Sequence, residues 1–514
     1  MLTTGFVVLS GPMSSENIGV LITFAVYLVG LLLIGRLGER KHAKSYKDFV
    51  SADKKLGAVV TAISAASSSE SVWVMLGLSG LGYWKGAAAL WAAIGCVVGF
   101  AFNAIFITVQ LRRDSGRLGS VTVSDYIEDR LGDTSGVLRL VSAVIITFFM
   151  LSYVVAQFTG AGDLLQGMEL LGPETPYWLG VVVGAFIIAL YIVLGGYAAV
   201  CWTDTVQGFL MFIVMLTLPA LALIKAGGFS GMAAGLDAAG LLTLSGAEGA
   251  GWAAIGFVVG NLGIAIGYPG MPHMIIRYMT VADEREARRS AWISLIWAAV
   301  VLFGSTLLGM AVRSIAPELA TTQKEAEQQV IPFISRLTLH PILTGVVLSA
   351  VTAAIMSTAD SQLMYAATSF LNDLWLKLGK GRRQRIEQMD DDAQAKRLIW
   401  MTRGLLFAMT FIAMLVALAK MRLIYTFVLF AWGALGAAFT PIIILSLYWR
   451  KLTRWGALAS LITGPLVIVV WYNIGFLHEL IYELIPAFAV SLAAAVVVSL
   501  LTWEKEAERV RPPS

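Results

Sequence analysis

Four stretches of the sequence place polar or backbone-breaking residues inside otherwise hydrophobic segments, where they could bind a cation or a polar solute. The first is the run from Ala65 to Ser71, which carries the carboxylate of Glu70 in the middle of such a segment. A charged side chain at the centre of a membrane costs about 2.5 to 3.5 kcal/mol, so a residue of this kind is usually functional. Serine and alanine also permit close helix packing, but five consecutive polar residues favour a site.

The second stretch, Ala353 to Gln362, carries hydroxyl groups at helical spacing. Ala354, Ser357 and Thr358 are spaced i, i+3 and i+4, so on a helix a carbonyl and two hydroxyls share one face. Sodium is a hard cation that prefers such oxygen ligands, and unwound carbonyls of a facing helix can complete its shell. Asp360 is a second carboxylate in this stretch but points to a different face.

The other two stretches combine glycine or proline with polar or aromatic side chains. In residues 195–207, two glycines predict a tight turn, after which Asp204 either caps the next helix or acts as an anionic cation ligand. In Tyr268 to His273, an aromatic ring lies beside a backbone that glycines and prolines interrupt. Membrane helices also tolerate such residues as ordinary kinks.

The composition predicts an all-α polytopic membrane protein. Hydrophobic residues make up 58% of the chain, charged residues make up 14%, and the mean hydropathy is +0.78. A membrane-spanning helix needs about 20 apolar residues, and we predict about thirteen of them in a single transmembrane domain over residues 1–514. They occupy residues 17–36, 57–82, 86–111, 137–167, 176–195, 200–225, 251–278, 287–315, 342–376, 399–419, 423–448, 456–476 and 481–503.

Basic residues are concentrated in the connections after the first and ninth spans, at 36–55 and 377–397. By the positive-inside rule these connections are cytoplasmic, which places the N-terminus outside and the C-terminus inside. The net charge of +4 therefore reflects orientation in a lipid bilayer and gives no reason to expect a nucleic-acid partner. Because the N-terminus lacks a cleavable signal, we expect the first span to remain as an anchor in the cell membrane.

The interrupted second and seventh spans lie five helices apart. Two broken helices in corresponding positions indicate a transporter built from inverted repeats that binds its substrate between them. The repeats would cover residues 57–225 and 251–448, with a leading helix at 17–36 and trailing helices at 456–503. A longer outer connection at 317–340 could cover the substrate entrance.

Together these motifs resemble the sodium/solute symporter family, and within it the bacterial sodium/proline symporters, over essentially the whole chain. The resemblance depends on the Gly-Gly-x-x-Ala-Val-x-Trp-Thr-Asp-x-x-Gln run at 195–207, the Met-Ser-Thr-x-x-x-Gln run at 356–362, and the Pro-His pair at 272–273. It implies a leucine-transporter-type core of inverted five-helix repeats, sodium as the coupling ion, and uptake by alternating access in a bacterial inner membrane.

The resemblance also implies site residues. The sodium ligands would be carbonyls of Ser67, Glu70 and Ala354 with the hydroxyls of Ser357 and Thr358. The substrate site would contain Glu70, Ser71, Trp73, Ile264, Tyr268 and Pro272. Coupling, or a second cation, would involve Asp204, Ser69 and Asp360.

Three residues depart from the pattern of the sodium/proline symporters. Ser69 replaces an aspartate, with Glu70 following it, so the charge is displaced by about 100° around a helix unless the break absorbs the shift. Ile264 replaces a tryptophan of the proline pocket, and Val72 replaces a glycine. Sodium coupling is therefore implied more firmly than the identity of the substrate.

The sequence thus predicts a sodium-coupled symporter, and no enzyme, that imports a small amino acid such as proline. Proton coupling through Glu70 or Asp360 stays open as an alternative, as does another amino acid or a betaine-like or cationic solute. An intramembrane enzyme would need a convergent nucleophile and base or a metal cluster, which the scattered histidines do not suggest. A sensor would need a cytoplasmic output domain, and the tail after Trp503 is too short for one.

Overall fold

The computed structural model describes residues 15–42, 46–51, 56–172, 174–194, 196–245, 251–378, 389–419 and 424–510. Within these residues the regular structure is helical, apart from one isolated bridge between Leu56 and Val281. Each predicted span coincides with a helix or a broken helix. They are α1 (Ser15–His42), α2a (Ala58–Ser69) with α2b (Ser79–Lys85), α3 (Leu90–Phe102, continued by Thr108–Leu118), α4 (Val137–Gly167), α5 (Tyr177–Leu194), α6 (Tyr197–Lys225), α7a (Trp252–Gly263) with α7b (Pro272–Thr280), α8 (Glu284–Ile315), α9 (Pro341–Ser369), α10 (Asp391–Ala417), α11 (Ile424–Tyr448), α12 (Arg454–Asn473) and α13 (Leu484–Val510).

Eleven helical stretches among the described residues are long and apolar enough to cross a membrane. One of them, Trp73–Leu118, joins the second half of the second predicted span to the third. Two shorter apolar helices, Ala58–Ser69 and Tyr177–Leu190, coincide with the first half of the second span and with the fifth. The all-α, multi-pass class is therefore confirmed, while the count of thirteen crossings and the orientation of the termini stay predictions.

Shorter helices also lie outside the spans. We call Val123–Leu131 the inner helix and Gln323–Thr338 the lid helix, and others are Tyr46–Ser51, Gly228–Ala238 and Gly475–Leu480. The inner helix begins with a capping box, in which Thr122 and Asp125 exchange side-chain to backbone hydrogen bonds. The predicted outer connection at 317–340 thus contains a helix of its own.

The second and seventh spans are broken where the sequence predicts. α2a ends at Ser69, because Glu70 leaves the helical region with φ −89° and ψ 70°, and the chain resumes as a π-helix over Trp73–Leu78 before α2b. In the seventh span a 3₁₀ segment, Ile264–Gly270, is followed by Met271 in an extended conformation. At both breaks the backbone departs from α-helical geometry, an arrangement that suits ligand binding.

Close helix packing holds α2 against α8. Ser294 of α8 donates to the carbonyl of Ala62 at 3.0 Å, and Ser305 donates to the carbonyl of Val74 at 2.5 Å. Further along, a Cβ atom on Gly309 would lie 2.0 Å from the carbonyl oxygen of Ser79. Glycine is required at this crossing because only it lets the two backbones approach so closely.

We therefore expect Gly309→Ala to destabilise the protein by about 1 to 3 kcal/mol, the usual cost of overpacking a tight contact. The melting temperature of the purified protein in detergent measures the effect. Gly404→Ala in α10 is the matched control, because a Cβ atom there meets nothing within 4 Å. Equal melting temperatures for the two variants would contradict the packing argument.

A charge network ties the inner helix to the ends of α4 and α9. Arg139 of α4 donates to Asp373 at 2.7 Å and to Glu128 at 2.9 Å, and it also pairs with Asp125. Asp373 is fully buried and accepts a further hydrogen bond from Ser369. The network fixes the position of α4 and α9, which carry much of the site described next.

Candidate cation and solute site

The broken end of α2a lies against α9 at the predicted sodium ligands. Ser357 donates from its hydroxyl to the carbonyl of Ser67 at 3.1 Å and lies 3.4 Å from the carbonyl of Ala354. The hydroxyl of Thr358 is buried and has no hydrogen-bond partner in the described part of the chain. A buried polar atom of this kind usually has a partner, so the unpartnered Thr358 hydroxyl is suited to bind a ligand. The donor set, carbonyl and hydroxyl oxygens, suits sodium.

Glu70 lies at the break itself and is fully buried. Its Oε1 accepts hydrogen bonds from Tyr268 at 2.8 Å and from Ser69 at 3.1 Å. Its Oε2 makes no hydrogen bond to any described residue. A buried carboxylate oxygen without a donor is costly, so this arrangement is suited to a ligand that brings a cationic or hydrogen-bond-donating group.

Aromatic rings pack against Tyr268, the residue whose hydroxyl donates to Glu70. The ring of Tyr268 packs against Phe100 with centroids 4.8 Å apart and against Trp432 at 4.7 Å. The indole of Trp432 donates to the carbonyl of Ile264 at 3.2 Å. A tryptophan from α11 therefore lies beside the position where Ile264 replaces the tryptophan expected from the family pattern.

Polar side chains of α4 contact the other side of the α2 break. Gln157 donates to the hydroxyl of Ser71 at 3.2 Å, and the hydroxyls of Tyr153 and Ser71 lie 3.4 Å apart. Trp73 donates from its indole to the carbonyl of Ser69 at 3.1 Å. These contacts bring Ser71 and Trp73 to the site and add Tyr153 and Gln157, which the sequence patterns did not single out.

The remaining residues of the seventh span lie next to this cluster. Pro272 is buried and begins α7b. The ring of the following residue, His273, is buried 6.4 Å from the ring of Tyr153, and neither of its nitrogens has a partner among the described residues. His273 therefore lies beside Tyr153, whose hydroxyl contacts Ser71.

Asp204 lies in a buried ion pair. Its Oδ2 accepts from Arg277 at 2.8 Å, from Ser64 at 2.7 Å and from Ser361 at 3.2 Å. The cap of α6 is Gly196 and the helix begins at Tyr197. The capping interpretation of Asp204 is therefore wrong, because the residue lies two turns inside the helix.

The Asp204 pair is connected to the predicted sodium ligands. The hydroxyl of Ser67 donates to the backbone carbonyl of Asp204 at 3.3 Å. Arg277 was missed from the sequence, although an arginine at i+4 from His273 in an apolar run is a signal of a buried partner. Because Arg277 already compensates the charge of Asp204, a cation bound there would have to displace the guanidinium or share the carboxylate with it.

The other two predicted coupling residues, Ser69 and Asp360, are also buried. Ser69 donates to the carbonyl of Ala66 at 3.0 Å and to Glu70, so it supports the carboxylate at the break. Asp360 is fully buried and lies within electrostatic reach of Tyr27 on α1. Asp360 directly precedes Ser361, whose hydroxyl donates to Asp204 at 3.2 Å, and its part in coupling stays a prediction.

A cavity of about 590 Å³ leads towards the site from the end of the bundle that carries the lid helix. It is lined by Lys85 of α2b, Ile264 at the break, Gln323 of the lid helix and Leu429 of α11. Residues 478–483, in the connection before α13, form another wall. With the orientation predicted from the basic loops, this cavity would be an outer vestibule, and Ile264 is the predicted substrate residue that lines it.

Residues 49–464 match the model of the Sodium:solute symporter family. The chain is 32% identical over 473 residues to the high-affinity proline transporter PutP of Bacillus subtilis, with 92% of this chain and 96% of that protein covered. It is 30% identical over 485 residues to the sodium/proline symporter of Escherichia coli, with coverage of 94% and 93%.

Two solved structures show the same fold. A Na⁺-coupled sialic acid symporter in a substrate-bound outward-open state aligns with a TM-score of 0.75 at 15% identity, covering 95% of this chain and 98% of that one. The transporter MhsT in complex with L-phenylalanine aligns with a TM-score of 0.54 at 12% identity, covering 87% and 98%. At these identities the likeness concerns the fold alone.

Proposed function

Because this chain belongs to the sodium:solute symporter family, we propose that it is a sodium-coupled symporter that imports proline by alternating access. Proteins 30% to 32% identical to it over nearly their whole length are proline transporters and sodium/proline symporters. The observation that carries the proposal is the contact of Ser357 with the carbonyl of Ser67, beside the orphaned hydroxyl of Thr358.

The sodium ion would bind between α2a and α9. The carbonyls of Ser67, Glu70 and Ala354 and the hydroxyls of Ser357 and Thr358 would supply neutral oxygens, so the ion brings a net positive charge to the broken end of α2a. That charge stabilises arrangements in which α2a stays packed against α9. Sodium thereby favours one conformation of the protein over the other, which is the requirement for coupling.

Proline would bind between the two breaks. Oε2 of Glu70 would accept from the ring ammonium, and the hydrophobic ring would pack against Tyr268 and Trp432. The hydroxyls of Ser71 and Tyr153 would face the substrate carboxylate. Sodium and proline would then both depend on the conformation at the break of α2, so the binding of each strengthens the binding of the other.

Asp204 would act as a positioning residue for the sodium site. Its backbone carbonyl holds the hydroxyl of Ser67, and its carboxylate is held by Arg277 of α7b. This pair connects α6, α7b and the end of α2a, so a movement of one of these elements would move the others.

The two inverted repeats of the proposed transporter would be residues 57–225 and 251–448.

The test is uptake of labelled proline into proteoliposomes under an inward sodium gradient, with a potassium gradient as the matched control. We expect accumulation above equilibrium with sodium and none with potassium. Accumulation that is driven by a proton gradient and is independent of sodium would contradict the proposal that sodium is the coupling ion. If sodium protects the protein against heat but proline is not transported, direct uptake of other labelled small amino acids and betaines identifies the substrate instead.

A further inference from the structure

A buried carboxylate lies beneath the lid helix. Glu327 is only 1% exposed although it belongs to a helix outside the spans. A Cβ atom on Gly80 of α2b would lie 2.7 to 2.9 Å from the side chain and backbone of Glu327. The lid helix is therefore docked tightly on α2b at this residue, next to the vestibule that Gln323 lines.

A second buried carboxylate lies close to the first. Asp163 of α4 is 1% exposed and accepts a hydrogen bond from Gln328 at 2.6 Å. Glu327 has a weak contact from Gln323 at 3.5 Å to its Oε1, while its Oε2 has no hydrogen-bond partner among the described residues. The docked lid thus brings two acidic groups close together, and one buried oxygen of Glu327 has no donor among the described residues, so the charged form of Glu327 is disfavoured.

Among the described residues, the other groups around Glu327 supply no compensating ion pair. The lid helix contributes Lys324, which makes a small electrostatic contribution, and α11 contributes the backbone amide of Ile424. On the α2b side, the hydroxyl of Tyr83 donates to the carbonyls of Ala316 and Pro317. Arg313 of α8 donates to the same Pro317 carbonyl, and Lys85 of α2b lies over the ring of Phe257 at 5.5 Å.

We propose that Glu327 is a proton-binding site of the lid: the lid helix docks on α2b and α4 with Glu327 protonated, and loss of that proton releases it. The inference goes beyond sodium-coupled transport and does not depend on which solute is carried. It makes closure of the vestibule responsive to the proton concentration on that side of the membrane.

The direction of the pH dependence follows from the two states of the lid. Burial, and then the nearby charge of Asp163, raises the pKa of Glu327 from 4.5 to about 8 in the docked state. Once the lid is undocked, the solvated carboxyl returns to its ordinary pKa. Between these two values docking takes up one proton, so the docking equilibrium weakens by up to about tenfold per pH unit as the pH rises. Above about pH 8 both states are ionised and the dependence levels off.

Hydrogen exchange of the backbone amides in residues 323–338 tests the proposal in the full-length protein in nanodiscs, without sodium or substrate. Glu327→Gln keeps the shape of the neutral side chain. The ratio of the wild-type exchange rate to the Glu327→Gln exchange rate at each pH cancels the chemical pH dependence of exchange. We expect this ratio to rise about tenfold from pH 6.5 to 7.5 and to level off above pH 8. A ratio that is the same at every pH overturns the proposal.

Two further variants make the result specific. Glu318→Gln removes an exposed carboxylate just before the lid helix and should keep the pH dependence of the wild type. If Glu318→Gln abolishes that dependence as Glu327→Gln does, the proposal is overturned. Asp163→Asn removes the neighbouring charge and should move the transition to lower pH, a shift that is measurable even if Glu327→Gln fails to fold. Because these exchange measurements use neither sodium nor substrate, they can be interpreted even if the protein does not transport proline.

Discussion

Thr358→Ala is expected to raise the sodium concentration for half-maximal proline uptake by about ten- to hundredfold. The Thr358 hydroxyl is buried without a partner, next to the helix turn on which Ser357 contacts the carbonyl of Ser67. A hydrogen bond or ligand contact to a charged group contributes about 1.5 to 3 kcal/mol, and 1.4 kcal/mol is a factor of ten in affinity. Alanine removes the oxygen and does not lower the helix propensity.

The measurement is the initial rate of proline uptake at a series of sodium concentrations in proteoliposomes. Thr352→Ala is the matched control, because this threonine lies on the same helix but lines a small groove with Phe24 of α1 and with α4 and α5, away from the Ser67 contact. Its sodium dependence should match that of the wild type. An unchanged sodium dependence in Thr358→Ala would remove this hydroxyl from the ligand set.

The sequence was sufficient to predict the helices and the places where two of them break. Long apolar segments identify spans because a helix must satisfy its own backbone in the membrane. The breaks at Glu70 and Met271 were predictable because a buried carboxylate, or several glycines and prolines, cannot be accommodated in a regular apolar helix. The contact between Ser357 and Ser67 followed from helical spacing together with the family resemblance.

The partners across helices were not predictable in the same way. Trp432, Tyr153 and Gln157 reach the site from α11 and α4, and local periodicity does not tell which face of one helix meets which face of another. The pairing of Asp204 with Arg277 shows the limit most clearly. The glycines before Asp204 suggested a cap, but α6 begins at Tyr197, which carries the carboxylate into the buried part of the bundle.

These cross-helix partners change the interpretation of the departures from the family pattern. Displacement of the carboxylate from position 69 to Glu70 is absorbed by the break, since Ser69 and Tyr268 both donate to it. The aromatic wall next to Ile264 is supplied by Trp432. These contacts support the proposal that a small ring-containing amino acid binds here, with an acidic group on one side and aromatic rings on another.

Glu70→Gln is expected to raise the KM for proline at saturating sodium by about thirtyfold or more. The amide can still accept from Tyr268, but it no longer offers a charge to the substrate ammonium, and losing one partner of a buried charge pair costs about 2 to 5 kcal/mol. Initial uptake rates over a range of proline concentrations measure the effect. Saturating sodium separates it from the sodium site, to which Glu70 would contribute a backbone carbonyl that the substitution leaves in place.

Tyr268→Phe provides the graded comparison, because it removes one of the two hydrogen bonds to Oε1 of Glu70 and leaves the charge. We expect a smaller increase in KM, about tenfold, since a hydrogen bond to a charged group contributes about 1.5 kcal/mol or more. Cyclopentanecarboxylate, which lacks the ammonium, should not compete with proline in the wild type. If Glu70→Gln left the KM for proline unchanged and altered only the sodium dependence, the carboxylate would belong to the cation and the ammonium would bind elsewhere in the site.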